Sequence, residues 1–157
     1  MFKVKYNTIN NNIFSKPYLK SLFFVQNNWH RHGVLLHTLK VVYHTIKAKD
    51  NKMIMAAFLH DIGKPKVAYQ KPEDIEVGEY SFTDHEEKSY QMIKNISFIS
   101  NYTKTIVRYH YLIRDIKKSK IEDKTRYDYK IKIWNSLEKS IQDDLARFIK
   151  YDDLGKK

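Results

Sequence analysis

The sequence contains no cysteine, which excludes disulfides, thiolate zinc sites and a cysteine nucleophile. Glycine and proline are scarce, four and three among 157 residues, and turn clusters are few, so long helices are expected. No apolar run approaches the roughly 20 residues needed to cross a bilayer. The opening stretch, Met1 to Asn12, is polar and asparagine-rich and has no apolar stretch like that of a secretory signal. No membrane partner is expected, and a soluble cytoplasmic protein is.

What is present suits one globular domain spanning 1–157, with residues 1–15 as a candidate flexible arm. Hydrophobic residues make up 42% and aromatics 14%, enough to exclude a disordered polyelectrolyte. The net charge is +11, from 29 basic and 18 acidic residues. Such an excess suits an anionic partner, either a nucleic acid or a nucleotide. It also accompanies a lysine-, asparagine-, isoleucine- and tyrosine-rich composition of the kind an AT-rich genome produces. Charge alone leaves both origins open, and nothing in the sequence bears on oligomeric state.

Apolar spacing divides the chain into helices. Pro17 to Gln26 carries Tyr18, Leu19, Leu22, Phe23 and Val25 on a short amphipathic stretch. Gly33 to Lys49 carries a wide stripe through Val34, Leu35, Thr38, Val41, Val42 and Ile46. A third helix is expected over Asn51 to Ile62, with Asn51 as a candidate cap. Gly63 suits a left-handed residue after its last turn, and Pro65 prevents its continuation. Lys66 to Phe82, with Pro72, Gly78 and an alternating run, reads as a loop or small hairpin. Thr83 or Asp84 then caps a helix to about Ile96, with Glu86 and Glu87 favourably placed for its dipole. Further helices are expected over Asn101 to Ile113 and Ser136 to Tyr151, and Arg114 to Lys132 is strongly basic. The fold class is therefore all-α.

Against this frame the histidines are informative. His37 lies on the second helix, His60 and Asp61 on the last turn of the third, His85 opens the fourth, His110 lies on the fifth, and Asp152 follows the last. Neutral imidazole and carboxylate suit a divalent first-row metal or magnesium, and collecting such ligands from several helices is how a bundle builds a metal site. The doublet is the strongest element. Ala56, Ala57, Phe58 and Leu59 place it at the end of a buried helix, where a charged aspartate is costly unless a metal or hydrogen bonds compensate it. Gly63-Lys64 then supplies a cation to an anion bound there.

The segment Phe58-Leu59-His60-Asp61-Ile62-Gly63-Lys64-Pro65 resembles the signature of the HD-domain metal-dependent phosphohydrolase superfamily. That resemblance implies a single HD-type helical bundle. It also implies a metal held by His37, His60, Asp61 and a distant aspartate, for which Asp152 fits best and Asp153 is the neighbouring alternative. Trp29-His30 and Phe82-Thr83-Asp84-His85-Glu86 resemble the HD domain of bacterial CCA-adding tRNA nucleotidyltransferases, with Asp84 where that subgroup has glycine. The match spans Trp29 to Lys156.

The implied activity is hydrolysis of phosphoesters of nucleotides or RNA ends, with 2′,3′-cyclic, 2′- and 3′-phosphates as candidate groups. A nucleotidase, an alarmone hydrolase, a cyclic-oligonucleotide phosphodiesterase and a catalytically silent nucleic-acid-binding module are the alternatives. The metal could be manganese, nickel, cobalt, iron, magnesium or zinc. In this reading Asp61 orients the attacking water and Lys64 neutralises phosphate charge. His85 and His110 either hold a second ion or act on the phosphate and leaving oxygen. His30 and Arg31 are candidate substrate contacts. The stretch Arg114, Lys117, Lys118, Lys120, Lys124 and Arg126 could track a phosphate backbone, with Tyr127 and Tyr129 stacking a base.

Overall fold

The computed structural model describes residues 33–156. The expected arm at 1–15, the helix at 17–26, and His30 and Arg31 lie outside the described residues. Within them the order is α1 (Val34–Lys47), a 3-10 turn (Asn51–Met53), α2 (Ile54–Leu59), α3 (Lys64–Val67), α4 (Pro72–Val77), α5 (His85–Ile93), α6 (Asn101–Tyr109), α7 (Leu112–Glu122), α8 (Lys124–Ser136) and α9 (Lys139–Gly155). Among the described residues there is no strand, only one isolated antiparallel bridge between Tyr69 and Ser81, so the fold is all-α. No described helix is long and apolar enough to cross a membrane.

The stripes that form the helices also carry the polar residues inward. On α1 the buried positions are Val34, His37, Thr38, Val41 and Thr45, a helical spacing that puts His37 on the same face as the core valines. On α9 they include Leu145, Phe148 and Asp152. Val41, Ala56, Ala57, Ile106, Leu145 and Phe148 belong to the central cluster. Helix α1 packs on α9 and α2, α2 on α6, α5 on α6 and α3, and α7 on α8.

Several boundaries differ from the sequence expectation. The third helix is preceded by a 3-10 turn, Asp50 rather than Asn51 is its flanking residue, and no side chain caps the turn. Gly63 is right-handed, with φ −79° and ψ −22°, so the expected left-handed cap is corrected. Glycine is required there for space. A Cβ would lie 2.5 Å from the Ser89 nitrogen and 2.6 Å from the His85 carbonyl oxygen. The Gly63 N–H donates to Ser89 Oγ at 2.9 Å, which draws α5 against the His-Asp turn. Pro65 does not end a helix but sits in the first turn of α3, where its missing N–H costs nothing.

The expected hairpin is reduced to the Tyr69–Ser81 bridge, with α4 enclosed and ended by left-handed Gly78. The helix expected over Asn101 to Ile113 is interrupted after Tyr109, with no glycine or proline to mark the break. The basic stretch forms α7 and α8, separated at Asp123, whose carboxylate accepts from the Arg126 N–H at 3.0 Å and so caps α8. Helix α9 runs to Gly155, so Asp152 lies inside it rather than after it.

Candidate metal centre

Six side chains meet in the interior: His37 from α1, His60 and Asp61 from the turn after α2, His85 from the start of α5, His110 from the end of α6, and Asp152 from α9. All are buried, Asp61 to 1% exposure. Asp61 is central. Its Oδ2 lies 3.4 Å from His37 Nε2 and 3.2 Å from His60 Nε2. Its Oδ1 lies 3.3 Å from His85 Nε2 and 3.8 Å from His110 Nε2. Asp152 Oδ1 faces the first pair, 2.9 Å from His37 Nε2 and 3.8 Å from His60 Nε2. Two groups could therefore hold a metal ion, His37-His60-Asp61 and Asp61-His85-His110, sharing one carboxylate.

Hydrogen bonds on the far side of the rings define the donor set. The Nδ1 atoms of His60, His85 and His110 lie 2.8, 2.8 and 2.7 Å from the carbonyl oxygens of Ala57, Phe82 and Val107. Each Nδ1 carries the proton it donates, which leaves a lone pair on Nε2 directed into the site. His85 Nε2 and His110 Nε2 are 3.2 Å apart, and His60 Nε2 and His37 Nε2 are 3.3 Å apart. The lone pairs of His85 and His110 facing one another at that distance repel unless a cation or a proton lies between them, whereas His37 Nε2 donates to Asp152 Oδ1 at 2.9 Å. Asp61 Oδ1 accepts no hydrogen bond of standard geometry, which is rare for a buried carboxylate, while Oδ2 is met by the Lys64 ammonium. Both the orphaned oxygen and the facing lone pairs fit a divalent ion beside Asp61.

The electrostatics agree. Burial pushes the carboxyls of Asp61 and Asp152 upward, but the surrounding charges prevail and hold both well below the usual range. His60 and Lys64 do this for Asp61, and the His37 hydrogen bond and Arg114 do it for Asp152. Burial lowers His85 to about 4. His110 is held well below its ordinary value by burial and by the neighbouring His60 and His85. Both are neutral near pH 7, the form that ligates. For His60 burial is outweighed by Asp61 and Asp152, and its pKa is raised.

The centre opens into a cleft of about 630 Å³ whose walls include Lys64, Tyr80, Phe82, Tyr111, Arg114 and Lys156. Lys64, only 4% exposed, places Nζ 2.7 Å from Asp61 Oδ2 and 5.5 Å from the centre of the Phe82 ring. Asp153, the alternative last ligand, points outward and pairs with Arg114 and Lys156. Of the basic stretch, Arg114, Lys118 and Arg126 line the cleft, whereas Lys117, Lys120, Lys124, Tyr127 and Tyr129 are not among its lining residues. Arg126 is held by both oxygens of Asp115. Sequence reasoning placed Arg114 only within this stretch and missed its contact with Asp152. Its spacing of four from His110 was the available signal.

The model of the HD domain family matches residues 34–153, and the chain belongs to that family, whose members are generally metal-dependent hydrolases. No curated protein and no solved structure significantly matches the chain.

Proposed function

We propose that the protein is a metal-dependent phosphohydrolase acting on phosphoesters of nucleotides or RNA ends. The observation that carries this reading is the pair of inward Nε2 lone pairs of His85 and His110 beside one oxygen of Asp61, with His37 and His60 gathered at the other. His37, His60, Asp61 and Asp152 would hold one divalent ion, and Asp61, His85 and His110 a second. Bound there, such an ion supplies a Lewis acid for the phosphoryl group and makes water a competent nucleophile near neutral pH. Asp61 orients the water, and Lys64 neutralises charge developing on the phosphoryl oxygens. His85 and His110, neutral with their protons committed to backbone carbonyls, have no proton on Nε2 to give a leaving oxygen. Ligation is therefore the favoured role for them.

Among the described residues lining the cleft, carboxylates outnumber cations, which favours a compact nucleotide over a long polyanion. The likeness of Phe82 to Glu86 to the CCA-adding subgroup supports 2′,3′-cyclic, 2′- or 3′-phosphates as the hydrolysed groups. The left-handed backbone of Asp84 agrees with the glycine of that subgroup.

The test is hydrolysis by metal-stripped protein reloaded with manganese, nickel, cobalt, iron, magnesium or zinc. Substrates are 2′,3′-cyclic AMP, the 2′-, 3′- and 5′-nucleotides, deoxynucleoside triphosphates and an aryl phosphate. Turnover that is lost in Asp61→Ala is expected. Metal binding without turnover on any ester, together with salt-dependent RNA binding, would replace this reading with a silent binding module.

A further inference from the structure

We propose that Arg114 is a positioning residue for the metal centre, holding Asp152 so that one carboxylate oxygen faces His37 and His60. The proposal rests on the metal-dependent reading above. Asp152 divides its two oxygens between different tasks. Oδ1 faces the Nε2 atoms of His37 and His60, while Oδ2 is bonded by Arg114 Nη1. The other arm of the same guanidinium, Nη2, bonds Asp153 Oδ1 at 2.6 Å, and Lys156 Nζ reaches that oxygen at 2.8 Å.

A guanidinium is planar and presents parallel donors in a fixed fork. Spanning two consecutive aspartates, it sets the rotation of the Asp152 carboxylate as well as its place. Arg114 is itself confined, with its side chain 19% exposed and its guanidinium carbon 5.8 Å from the centre of the Tyr111 ring. The Asp152-Asp153 pair thereby acquires a division of labour, the first turned to the histidines and the second anchoring the arginine that aims it. A lysine has one compact charge and could hold Asp152 without fixing its plane.

The experiment titrates manganese into metal-stripped protein by calorimetry and records the visible absorption of the cobalt-loaded form. It compares wild type, Arg114→Met, Arg114→Lys and Asp153→Asn. Loss of an outer-shell partner typically weakens metal binding about 10- to 100-fold. That loss is expected for Arg114→Met at the ion held by His37, His60, Asp61 and Asp152, with an altered cobalt spectrum. Arg114→Lys should recover part of the affinity, and Asp153→Asn should lose only a few-fold.

Wild-type affinity and spectrum in folded Arg114→Met would overturn the proposal. So would unchanged metal affinity combined with weakened binding of inorganic phosphate, which would make Arg114 a phosphate contact instead. If Arg114→Met does not fold, wild-type affinity and spectrum in Arg114→Lys would overturn it equally. Wild-type protein that binds metal but hydrolyses nothing would end the functional reading and leave this one standing. Wild-type protein that binds no metal would end both.

Discussion

Asp84 adopts φ 59° at the residue before α5, a left-handed conformation that costs a non-glycine residue about 1–2 kcal/mol. Its side chain does not offset this by capping the helix. Asp84→Gly is accordingly expected to raise stability by up to about 1 kcal/mol, once the greater chain freedom of glycine is subtracted. A higher urea midpoint at unchanged slope is the measurement.

The next residue gives a pH dependence. His85 is held at about 4 in the folded chain, chiefly by burial, against about 6.5 when unfolded. Between those values the unfolded chain takes up a proton that folded His85 does not. Stability therefore falls as pH drops from about 6.5 to about 4, by on the order of 3 kcal/mol from this residue. His110, lowered by burial and by His60 and His85, acts in the same direction. His60, raised despite burial by Asp61 and Asp152, acts oppositely. Its stabilisation is complete below about 6.5 and is lost as pH rises through its folded value. Urea midpoints of the metal-free protein should drop across the acid window, and His85→Gln should flatten part of that drop.

Between elements, the decisive contact is the approach of α9 to α1. A Cβ on Gly155 would lie 2.5 Å from Val41 Cγ2 and 3.2 Å from the His37 ring. Glycine at this point lets the two helices approach closely enough for Asp152 Oδ1 to lie 2.9 Å from His37 Nε2. Gly155→Ala is expected to destabilise by about 1–3 kcal/mol, as overpacking does. It should also weaken metal binding by separating the two ligands, read by thermal melts of metal-stripped protein and by manganese titration.

The amphipathic stripe of α9 was legible in the sequence, and on α1 Val34, Thr38 and Val41 are buried as their spacing predicts, whereas Leu35 and Ile46, read on the same stripe, are exposed. The true role of Gly63 was not legible. Sequence position suggested a left-handed cap, whereas the requirement comes from Ser89 and His85, residues more than 20 positions away. The interruption after Tyr109 was equally hidden, since it uses no helix-breaking residue.

On the scale of the whole molecule, a net charge of +11 coexists with a cleft whose described lining residues include more carboxylates than cations. Among the described residues, the basic excess does not line the cleft. A track neutralising six to ten phosphates would lose about 10³–10⁵ in affinity between 50 and 200 mM salt. For a mononucleotide substrate the expected KM rises only about 3- to 12-fold over that range, as one or two phosphate contacts would produce. A steep salt dependence in steady-state kinetics would show instead that a polyanion path reaches the centre.

The all-helical class and the burial of the His-Asp doublet followed from the sequence itself, although of the four residues read as burying it only Ala56 and Ala57 are buried and Phe58 is half exposed. Scarce glycine and proline, helical spacing of apolar residues and the cost of burying an aspartate are local or compositional properties. Resemblance favoured Asp152 over Asp153, but which of the two faces the histidines, the placing of His85 and His110 at the other oxygen of Asp61, and the Arg114 contact came only from the tertiary structure. Adjacent aspartates on a helix look alike in sequence. Which one faces the histidines depends on how α9 is rotated against α1, and that rotation is set by packing between residues more than a hundred positions apart.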